Sequence, residues 1–386
     1  MSEFPRTLFL IDNLNVSGAE KVAVNLLRHA QAQGLPVEGI VCMDDLIGAS
    51  ASGANIHSFE GPTGGEFFPR VFRGLSRVPR IARFAKGFDL LVPVTVPAIP
   101  WAVAAAIVTG AKVVPWIHYD IEGLALDPFR TGRLIRDFLM NTMHMRMAPA
   151  FDRLLFVSDA AKQSFVKLIR RDKPGWAAVP NVYDRQALSD APSPCAAGIE
   201  RCRSNGKFAL LFAGRIFRQK RWEEAVKVAE ILARRHFPFE LHIAGDGPEM
   251  PQLRETVAAS PARDHILLYG FDLNVVAALA KADALLLTSL YEAWPTIILE
   301  AFDLGVPVFS YDCPSGPAEM LGRNLERGVL CAGGAEEMAD RIQWLLTEER
   351  KPLREQMTAD ARRFLDAHLP DQALESWRRV LRAMMA

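Results

Sequence analysis

The stretch SLYEAWPTIILEAFDLGVPV, residues 289–308, decides the fold class, and it holds two glutamates among mostly apolar neighbours. The run LLLTS that overlaps its start is short, apolar and β-prone, which predicts a buried strand. Pro295 suits the first position of a helix, because its missing N–H costs nothing there, and Gly305 followed by Pro307 marks the end. The stretch therefore predicts a strand, a loop and a buried helix from about residue 295 to residue 304.

The two glutamates take different places in this predicted unit. Ile297, Ala301 and Leu304 share one apolar stripe of the helix, and Glu300 lies on or beside it. Glu292 falls in the loop that leads to the helix N-terminus. Because a buried carboxylate without partners is strongly unfavourable, one explanation is that Glu300 pairs with a basic side chain or is not really buried, and the other is that it meets the hydroxyl groups of a ligand. The helix pattern alone leaves both explanations open.

Length and composition limit the class of protein. A chain of 386 residues predicts two domains, and its 50% hydrophobic content is enough for large cores. The formal net charge of zero gives no sign of a nucleic-acid partner. The 5 cysteines are scattered, which favours a reduced, cytoplasmic compartment, and no metal-ligand spacing is present. The start MSEFPRTLFLID carries an acid and leads directly into a strand, so it is not expected to be a signal peptide.

An uncharged segment, residues 90–111, is long enough to imitate a membrane span. Pro93, Pro97 and Pro100 interrupt it, and they argue against one continuous helix. The segment instead predicts the strand LLVPV, a proline-rich turn and the helix AIPWAVAAAIVTG. We therefore expect a buried β-α unit here.

A basic segment, residues 70–86, contains five Arg and one Lys and no acidic residue. These residues recur every three or four positions, opposite apolar residues that run from Phe72 to Ile81. This pattern is typical of a helix that lies on anionic lipid, although Pro79 interrupts it. An ordinary solvated helix face explains the same charges, and the sequence leaves both open.

Strands and helices alternate along the chain, which predicts parallel sheets covered by helices on both faces. An Ala-, Pro- and Ser-rich stretch divides two such series. The predicted organisation is an N-terminal domain over residues 1–182, a linker over 183–206, and a C-terminal domain over 207–386 that ends in helices. In open α/β sheets ligands bind at the carboxyl ends of the strands, so the polar residues there are the candidates for a site.

Three strand ends carry candidate binding residues. Arg215 and Lys220 follow the strand FALLFAG, and two cations at such an end suit a diphosphate, although solvated loop charges are equally ordinary. Gly18 opens a helix after the first strand, where the backbone can approach an anion closely. His118 ends the strand KVVPWIH, where it has either a structural or a functional role. No D-x-D triplet is present to hold a diphosphate through a metal.

The segment IAGDGPEM leaves a dinucleotide-binding site open as a second explanation of the chain. Gly245 and Gly247 lie between a strand and a helix, and Asp272 follows at a distance tolerable for a ribose-binding acid of a dinucleotide site. The third glycine of such a site is missing, and a tight strand-to-helix turn accounts for the same residues.

Together these segments resemble the retaining family 4 glycosyltransferases. SGAEKVAVNLL, AVPNVYD, FAGRIFRQKRW, IAGDGPEM, LYGF and SLYEAWPTIILEAFDLGVPVFSYDCPSGPAEML occur in the order seen in that family. The most specific element is E-x7-E, formed by the two glutamates, together with the following CPSGPAE. The resemblance covers nearly the whole chain, but the N-terminal half matches only at SGAE, the WIH strand end and PNVYD. The CPSGPAE ending resembles transferases that build bacterial surface polysaccharide and lipopolysaccharide.

The resemblance implies a fold and a set of site residues. The fold is GT-B, an α/β architecture of two doubly wound Rossmann-like domains that face each other across a cleft, with C-terminal helices. The residues that would hold the nucleotide sugar are Gly18, Arg215, Lys220, Glu292, Ala293, Trp294, Pro295, Thr296 and Glu300. The residues with catalytic roles would be His118, Arg215, Lys220 and Glu292, with no metal.

The resemblance also implies what these residues do. Glu300 would bind the ribose hydroxyls, which would satisfy its buried carboxylate, and Glu292 would bind the donor sugar. Arg215 and Lys220 would bind the diphosphate, and His118 would lie beside the sugar. The sequence departs from the family where Ser17 replaces the first glycine of GGAE, and where Trp294 replaces a phenylalanine.

The expected reaction is transfer of a hexosyl unit from a nucleotide sugar, with a UDP-sugar favoured, to a saccharide or lipid-linked saccharide. No cofactor is expected besides this donor substrate. The acceptor would bind the N-terminal domain, at the inner face of the membrane. A nucleotide-sugar epimerase, an NAD-dependent oxidoreductase and a non-catalytic membrane-associated binding protein remain as alternatives.

Overall fold

The computed structural model describes residues 4–12, 18–41, 54–59, 75–120, 150–185 and 192–384. The chain divides into two compact units. The first contains Met1–Asp184 and Ala367–Ala386, and the second contains Arg185–Asp366.

The first unit is built from strands and helices in alternation. Its strands are β1 (Thr7–Ile11), β2 (Val37–Val41), β3 (Ile56–Ser58), β4 (Leu90–Pro93), β5 (Lys112–Val113), β6 (Trp116–Ile117), β7 (Leu154–Phe156) and β8 (Trp176–Ala178). Its helices are α1 (Gly18–Ala32), α2 (Val78–Phe84), α3 (Ala98–Thr109), α4 (Asp159–Ile169) and, from the end of the chain, α13 (Pro370–Ala383).

The second unit repeats the pattern. Its strands are β9 (Phe208–Ala213), β10 (Phe239–Ala244), β11 (Ile266–Gly270), β12 (Ala284–Leu287), β13 (Val308–Tyr311) and β14 (Val329–Cys331). Its helices are α5 (Pro194–Ser204), α6 (Trp222–Arg234), α7 (Met250–Ala259), α8 (Val275–Leu279), α9 (Thr296–Leu304), α10 (Pro317–Leu321), α11 (Gly334–Leu345) and α12 (Lys351–Asp366).

Both units are doubly wound around parallel sheets, as predicted. In the second unit the strand order is β11-β10-β9-β12-β13-β14, so the order reverses between β9 and β12. In the first unit the five-stranded sheet has the order β3-β2-β1-β4-β5, and the reversal falls between β1 and β4. A separate three-stranded parallel sheet, β6-β7-β8, completes the first unit. Ligands bind at such reversals in open α/β sheets, at the carboxyl ends of the strands.

The predicted linker contains a helix, and the last helix belongs to the first unit and not to the predicted C-terminal domain. Residues 194–204 of the predicted linker form α5, whose Cys195, Ile199 and Cys202 are buried at helical spacing against the second unit's sheet. Helix α13 belongs to the first unit, where Trp377 packs 4.7 Å from Trp116 between ring centroids. An amphipathic helix is stabilised by the core that covers its apolar face, and a sequence pattern does not say which core that is.

The strand predicted over KVVPWIH is interrupted. Residues 112–113 pair with β4, whereas residues 116–117 pair with β7 in the other sheet. Pro115 has no N–H to donate to a ladder, and the chain changes sheets at this point. Strand β8, which was not predicted, forms the third strand of that smaller sheet.

The uncharged segment over residues 90–111 folds as predicted into β4 and α3. Trp101, Ala102 and Ala105 of α3 are fully buried in the core of the first unit. Among the described residues, no helix combines the length and the apolar character that a membrane crossing requires.

The helix predicted from the opening stretch is α9, and it differs in two details. It begins at Thr296, because Pro295 is the extended residue before it, and it ends at Leu304 with Gly305 in the left-handed conformation. Ile297 and Leu304 are only partly buried. The buried residues are Ile298, Leu299, Glu300, Ala301 and Phe302. Since α9 also packs against α8 and α12, its buried surface is wider than one stripe.

Candidate active site

The candidate site lies on two loops at the strand-order reversal of the second unit. Residues 214–221 follow β9, and residues 288–295 follow β12, which is its neighbour in the sheet. We call these loops the carboxyl edge. They contain Arg215, Lys220 and Glu292, so the tertiary structure places three predicted site residues at the position where ligands bind in such sheets.

Hydrogen bonds hold the two loops of the carboxyl edge together. The Leu290 amide donates to the Gln219 carbonyl at 2.8 Å, and Gln219 Nε2 donates to the Tyr291 carbonyl at 2.9 Å. Thr288 Oγ1 lies 2.9 Å from the carbonyl oxygens of both Lys220 and Arg221. These contacts fix the backbone on either side of Lys220 and Glu292.

Lys220 and Glu292 form an ion pair across the carboxyl edge. Lys220 Nζ donates to Glu292 Oε1 at 2.5 Å, and Ser289 Oγ donates to the same oxygen at 2.7 Å. The Lys220 side chain is 25% exposed and the Glu292 side chain is 9% exposed, so the pair is largely shielded from water. Both bonds fall on Oε1; within the described part of the chain, Oε2 of Glu292 accepts no hydrogen bond.

The CPSGP segment after β13 supports the loop that carries Glu292. Ser315 Oγ donates to the Glu292 carbonyl oxygen at 2.6 Å. At Gly316 a Cβ would lie 3.0 Å from the Ala293 carbonyl oxygen and from Pro295 Cδ, which is tighter than most real contacts. The glycine therefore permits the close approach of this segment to residues 293–295.

The two glycines of IAGDGPEM have a structural explanation. A Cβ at Gly245 would lie 1.8 Å from the Gly214 carbonyl oxygen, and one at Gly247 would lie 2.2 Å from the Ile216 carbonyl oxygen. Backbone hydrogen bonds from the Gly214 amide to the Ala244 carbonyl, at 3.1 Å, and from the Ile216 amide to the Asp246 carbonyl, at 2.9 Å, join the same segments. The glycines allow the loop that follows β10 to pack on the loop of Arg215.

Asp272 is already engaged in the second unit. One carboxylate oxygen accepts from Ser193 Oγ at 2.7 Å and from the Cys195 amide at 3.3 Å, and the other accepts from the Asn274 amide at 2.8 Å. These bonds cap the start of α5 and the turn after β11. The acid that the dinucleotide explanation assigned to a ribose is used to hold α5 in place.

Arg215 and Glu300 flank the ion pair in sequence and differ in exposure. Arg215 is exposed, and its guanidinium lies 5.6 Å from the centroid of the Phe217 ring. Within the described ranges it forms no ion pair, so its charge faces solvent at the carboxyl edge. Glu300 is 8% exposed within α9, as its place in the helix pattern predicted.

Trp294, Pro295 and Thr296 continue the loop into α9. Trp294 is buried, and its ring lies 6.2 Å from that of Phe364 between centroids. Ala293 and Pro295 are buried as well, and Thr296 is partly exposed. The tryptophan that replaces the family's phenylalanine thus packs against α12.

Two predicted site residues belong to the first unit. Gly18 is the first residue of α1, the helix that follows β1 in the chain, and β1 is one of the two strands at that unit's strand-order reversal; Ser17 lies outside the described residues. His118 follows β6, with its ring 4.1 Å from that of Trp116 between centroids. Its Nε2 is buried and has no hydrogen-bond partner among the described residues. Burial lowers the pKa of His118 to about 3, so the imidazole is neutral at neutral pH.

Sequence reasoning missed Gln219, Ser289 and Ser315. Gln219 and Ser289 lie one and three positions from the predicted Lys220 and Glu292, whereas Ser315 lies in the CPSGPAE segment; each forms a hydrogen bond with the carboxyl edge. Short polar residues after a strand are too common to be informative. Only the meeting of three loops gives these side chains a role.

Two family models match the chain. The model described as "Glycosyl transferases group 1" matches residues 201–364, and that described as "Glycosyltransferase Family 4" matches residues 16–186. The first covers the carboxyl edge and α9, and the second covers Gly18 and His118. Together the two matches account for most of both units.

Curated relatives align with parts of the chain. An exopolysaccharide phosphotransferase of Streptomyces coelicolor is 30% identical over 204 residues, which is 52% of this chain and 20% of that protein. A lipopolysaccharide 1,6-galactosyltransferase of Salmonella typhimurium is 27% identical over 164 residues, 41% of this chain and 45% of that protein. The chain thus spans less than half of the length of these two relatives.

A solved structure is similar over nearly the whole length. HepE of Anabaena, crystallised in complex with UDP-glucose, superposes with a TM-score of 0.74 at 15% identity, covering 98% of this chain and 99% of that one. At this identity the likeness establishes the fold.

Proposed function

Because the chain belongs to the family 4 glycosyltransferases, which have the GT-B fold, we propose that it moves a hexosyl unit from a nucleotide sugar to a saccharide or lipid-linked saccharide in the synthesis of surface polysaccharide or lipopolysaccharide. The observation that carries the proposal is the carboxyl edge, where Lys220 pairs with Glu292 and Arg215 lies on the same loop as Lys220, at a strand-order reversal. A UDP-sugar is the favoured donor, since the similar HepE structure contains UDP-glucose and relatives include a galactosyltransferase.

The charges of the carboxyl edge suit the departing diphosphate. Breaking the glycosyl–phosphate bond leaves negative charge on the phosphate, and fixed cations stabilise that charge. Arg215 is exposed with a planar guanidinium free of ion pairs among the described residues, and such a group bridges two phosphate oxygens. Lys220 has three N–H donors, of which Glu292 takes one. The ammonium can therefore donate to a phosphate without leaving Glu292.

Glu292 suits the donor sugar. Oε1 is occupied by Lys220 and Ser289, whereas Oε2 accepts no hydrogen bond within the described residues. Sugar hydroxyls are donors, and a fixed carboxylate oxygen is a strong acceptor for them. The pair thus orients both halves of a nucleotide sugar at once, with the sugar on the carboxylate and the diphosphate on the ammonium. Ala293, Trp294, Pro295 and Thr296 form the adjoining wall, and Glu300 on α9 binds the ribose hydroxyls.

The chemistry we propose retains the anomeric configuration and needs no metal. The departing phosphate accepts the proton of the acceptor hydroxyl while the new glycosidic bond forms on the same face. His118, neutral and with an unpartnered Nε2, supports the charge that develops on the sugar, and Gly18 admits the diphosphate near α1. The first unit binds the acceptor.

A thermal-shift panel of nucleotide sugars tests the donor site. A ligand present at about 100 times its dissociation constant adds about 2.7 kcal/mol to the free energy of unfolding. UDP-sugars should raise the melting temperature more than GDP- or ADP-sugars, and Glu300→Gln should weaken that shift. A panel without any shift would contradict the assignment.

Product analysis tests the reaction. Incubation with donor and acceptor should give a glycoside of the donor's anomeric configuration by proton NMR, at an unchanged rate after EDTA treatment. A product of inverted configuration would contradict retention. An isomer formed from the donor alone would instead indicate an epimerase.

The basic segment over residues 70–86 bears on where the protein works. Its residues 75–86 are described, and the apolar Ile81, Ala82 and Ala85 are buried in the first unit's core rather than presented outward. Arg80, Arg83 and Lys86 are exposed, and so is the apolar Leu75. We therefore propose a mainly electrostatic contact with anionic lipid at the inner membrane face. Liposome flotation should then depend on anionic lipid and vanish at high salt; binding to neutral vesicles would contradict it.

A further inference from the structure

The second unit carries another cluster of functional groups, at the opposite edge of its sheet. Cys202 lies in the last turn of α5, and Glu240 and His242 lie on one face of β10. The thiol, carboxylate and imidazole donor atoms all lie within 4.8 Å of one another. Glu240 pairs in register with Ala209, near the start of β9, so the cluster is at the amino end of the strands. We call it the amino edge.

The imidazole of His242 is already oriented as a metal ligand is. It is fully buried, with Nδ1 3.0 Å from the hydroxyl of Tyr269. Its Nε2 has no hydrogen-bond partner in the described part of the chain and lies 3.8 Å from Glu240 Oε2. Metal-bound histidines typically use their other ring nitrogen in such a bond, which fixes the ring and its tautomer. A buried imidazole nitrogen left unpaired is otherwise unfavourable.

Glu240 and Cys202 each have one donor atom that can bind an ion together with His242 Nε2. Glu240 uses Oε1 to accept from Lys207 Nζ at 2.9 Å, while Oε2 faces His242. Cys202 is 1% exposed, and its Sγ lies 3.7 Å from the Lys207 carbonyl oxygen. One sulfur, one nitrogen and one carboxylate oxygen form a mixed donor set that zinc and cobalt accept.

We infer that Cys202, Glu240 and His242 bind one divalent transition-metal ion of the zinc type. Donor atoms around a tetrahedral ion of this kind lie roughly 3.3–3.8 Å apart, so side-chain movements of about an ångström close the site. A water molecule takes the fourth position, on the side where Glu240 reaches the surface. On binding, the Cys202 S–H bond breaks, the metal–sulfur bond forms and one proton leaves to solvent. The ion would fasten α5 to β10.

The charges balance in this arrangement. A thiolate and a carboxylate offset the ion's two positive charges, and Lys207 remains on the outer carboxylate oxygen. Without an ion the Cys202 thiol keeps its proton and the His242 imidazole is neutral, since burial raises the pKa of the thiol to about 12 and lowers the pKa of His242 to about 4. The inference is independent of the proposed function, because the amino edge and the carboxyl edge are opposite ends of the same strands.

Cobalt titration of the full-length, chelator-treated protein tests the site. Co²⁺ should bind at one ion per chain and give a thiolate-to-cobalt charge-transfer band, with one proton released per ion in buffers of different ionisation enthalpy. Cys202→Ser should remove the band. Cys195→Ser is the matched control, because Cys195 is an equally buried cysteine of the same helix, and it should keep the band.

Two further variants test the site if Cys202→Ser does not fold. Tyr269→Phe should weaken Co²⁺ and Zn²⁺ binding roughly 10–100-fold, the range typical of groups that hydrogen-bond to metal ligands, and Glu240→Gln, which changes a ligand, should weaken it at least as much. Wild-type protein without a charge-transfer band, a band that survives in folded Cys202→Ser, or unchanged affinity in Glu240→Gln would each overturn the inference.

Discussion

Two of the lysine–glutamate pairs of the second unit lie at opposite ends of its parallel sheet, and their surroundings differ. At the carboxyl edge, Lys220 and Glu292 lie on loops and are 2.5 Å apart. At the amino edge, Lys207 and Glu240 lie at strand starts and are 2.9 Å apart. The first pair is held by hydrogen bonds from neighbouring loops, whereas the second adjoins a buried thiol and imidazole. An ion pair therefore acquires its role from its place in the sheet and from its neighbours.

The largest expected effect separates the two lysines. Lys220→Ala should lower kcat by about 10²–10³, equivalent to about 2.7–4 kcal/mol in the activation barrier, because the proposed mechanism loses a fixed cation beside the leaving phosphate. Lys207→Ala, at the amino edge, should leave kcat unchanged. Steady-state kinetics with the identified donor measures both, and Arg215→Ala should resemble Lys220→Ala. Equal losses in the two lysine variants would break the comparison.

A smaller effect concerns the close backbone packing of the carboxyl edge. A Cβ at Gly245 would lie 1.8 Å from the Gly214 carbonyl oxygen. Gly245→Ala should therefore lower the free energy of unfolding by about 1–3 kcal/mol and raise the KM for the donor, since the loop of Arg215 must move.

The matched control lies at the amino edge. Gly206 has a φ of +70° and nothing within 4 Å of its Cβ position. Gly206→Ala should cost only about 1 kcal/mol, from backbone strain alone, with an unchanged KM. Denaturant unfolding and donor kinetics compare the two; an unchanged KM in Gly245→Ala would show that the two loops are not coupled.

His118 contrasts with both pairs, because it is a partly buried titratable group whose buried Nε2 has no hydrogen-bond partner among the described residues. The unfolded chain binds a proton near pH 6.5, whereas the folded protein does not until about pH 3. Stability should therefore be complete above pH 6.5 and should fall as the pH decreases toward 3, with a limiting slope of about 1.4 kcal/mol per pH unit from this group.

The variant His118→Gln removes that contribution. Its unfolding free energy should fall less steeply between pH 6 and about pH 4. Denaturant titrations of the variant and of wild-type protein at a series of pH values give both slopes, and identical slopes would show that His118 is solvated.

The smallest expected effect sharpens the description of the carboxyl edge. Ser289 donates to Glu292 Oε1 and is placed to hold the carboxylate rather than to touch substrate. Ser289→Ala should raise the barrier by about 1 kcal/mol, roughly fivefold in kcat/KM, since one hydrogen bond is lost while Lys220 still holds the same carboxylate oxygen. Ser289→Thr should restore most of the activity. Activity unchanged in Ser289→Ala would show that Lys220 alone positions Glu292.

Part of the fold followed from local pattern. The strand–loop–helix unit over residues 289–308, the β-α unit over 90–111 and the doubly wound class were predicted and confirmed, because hydrophobic period and turn residues act over short distances. The break of KVVPWIH at Pro115 and the helix within the predicted linker were not, since both depend on which sheet or core receives the segment.

The sequence by itself determined the alternation of elements, the burial of Glu300 and the family, since each is written in residues close together in the chain. Only the tertiary structure decided that Lys220 pairs with Glu292, 72 positions away, that α13 packs in the first unit, and that Cys202 meets His242. The physical reason is that parallel strands align residues remote in sequence at a common edge. Which residues meet there depends on the strand order, and a local sequence pattern does not specify the strand order.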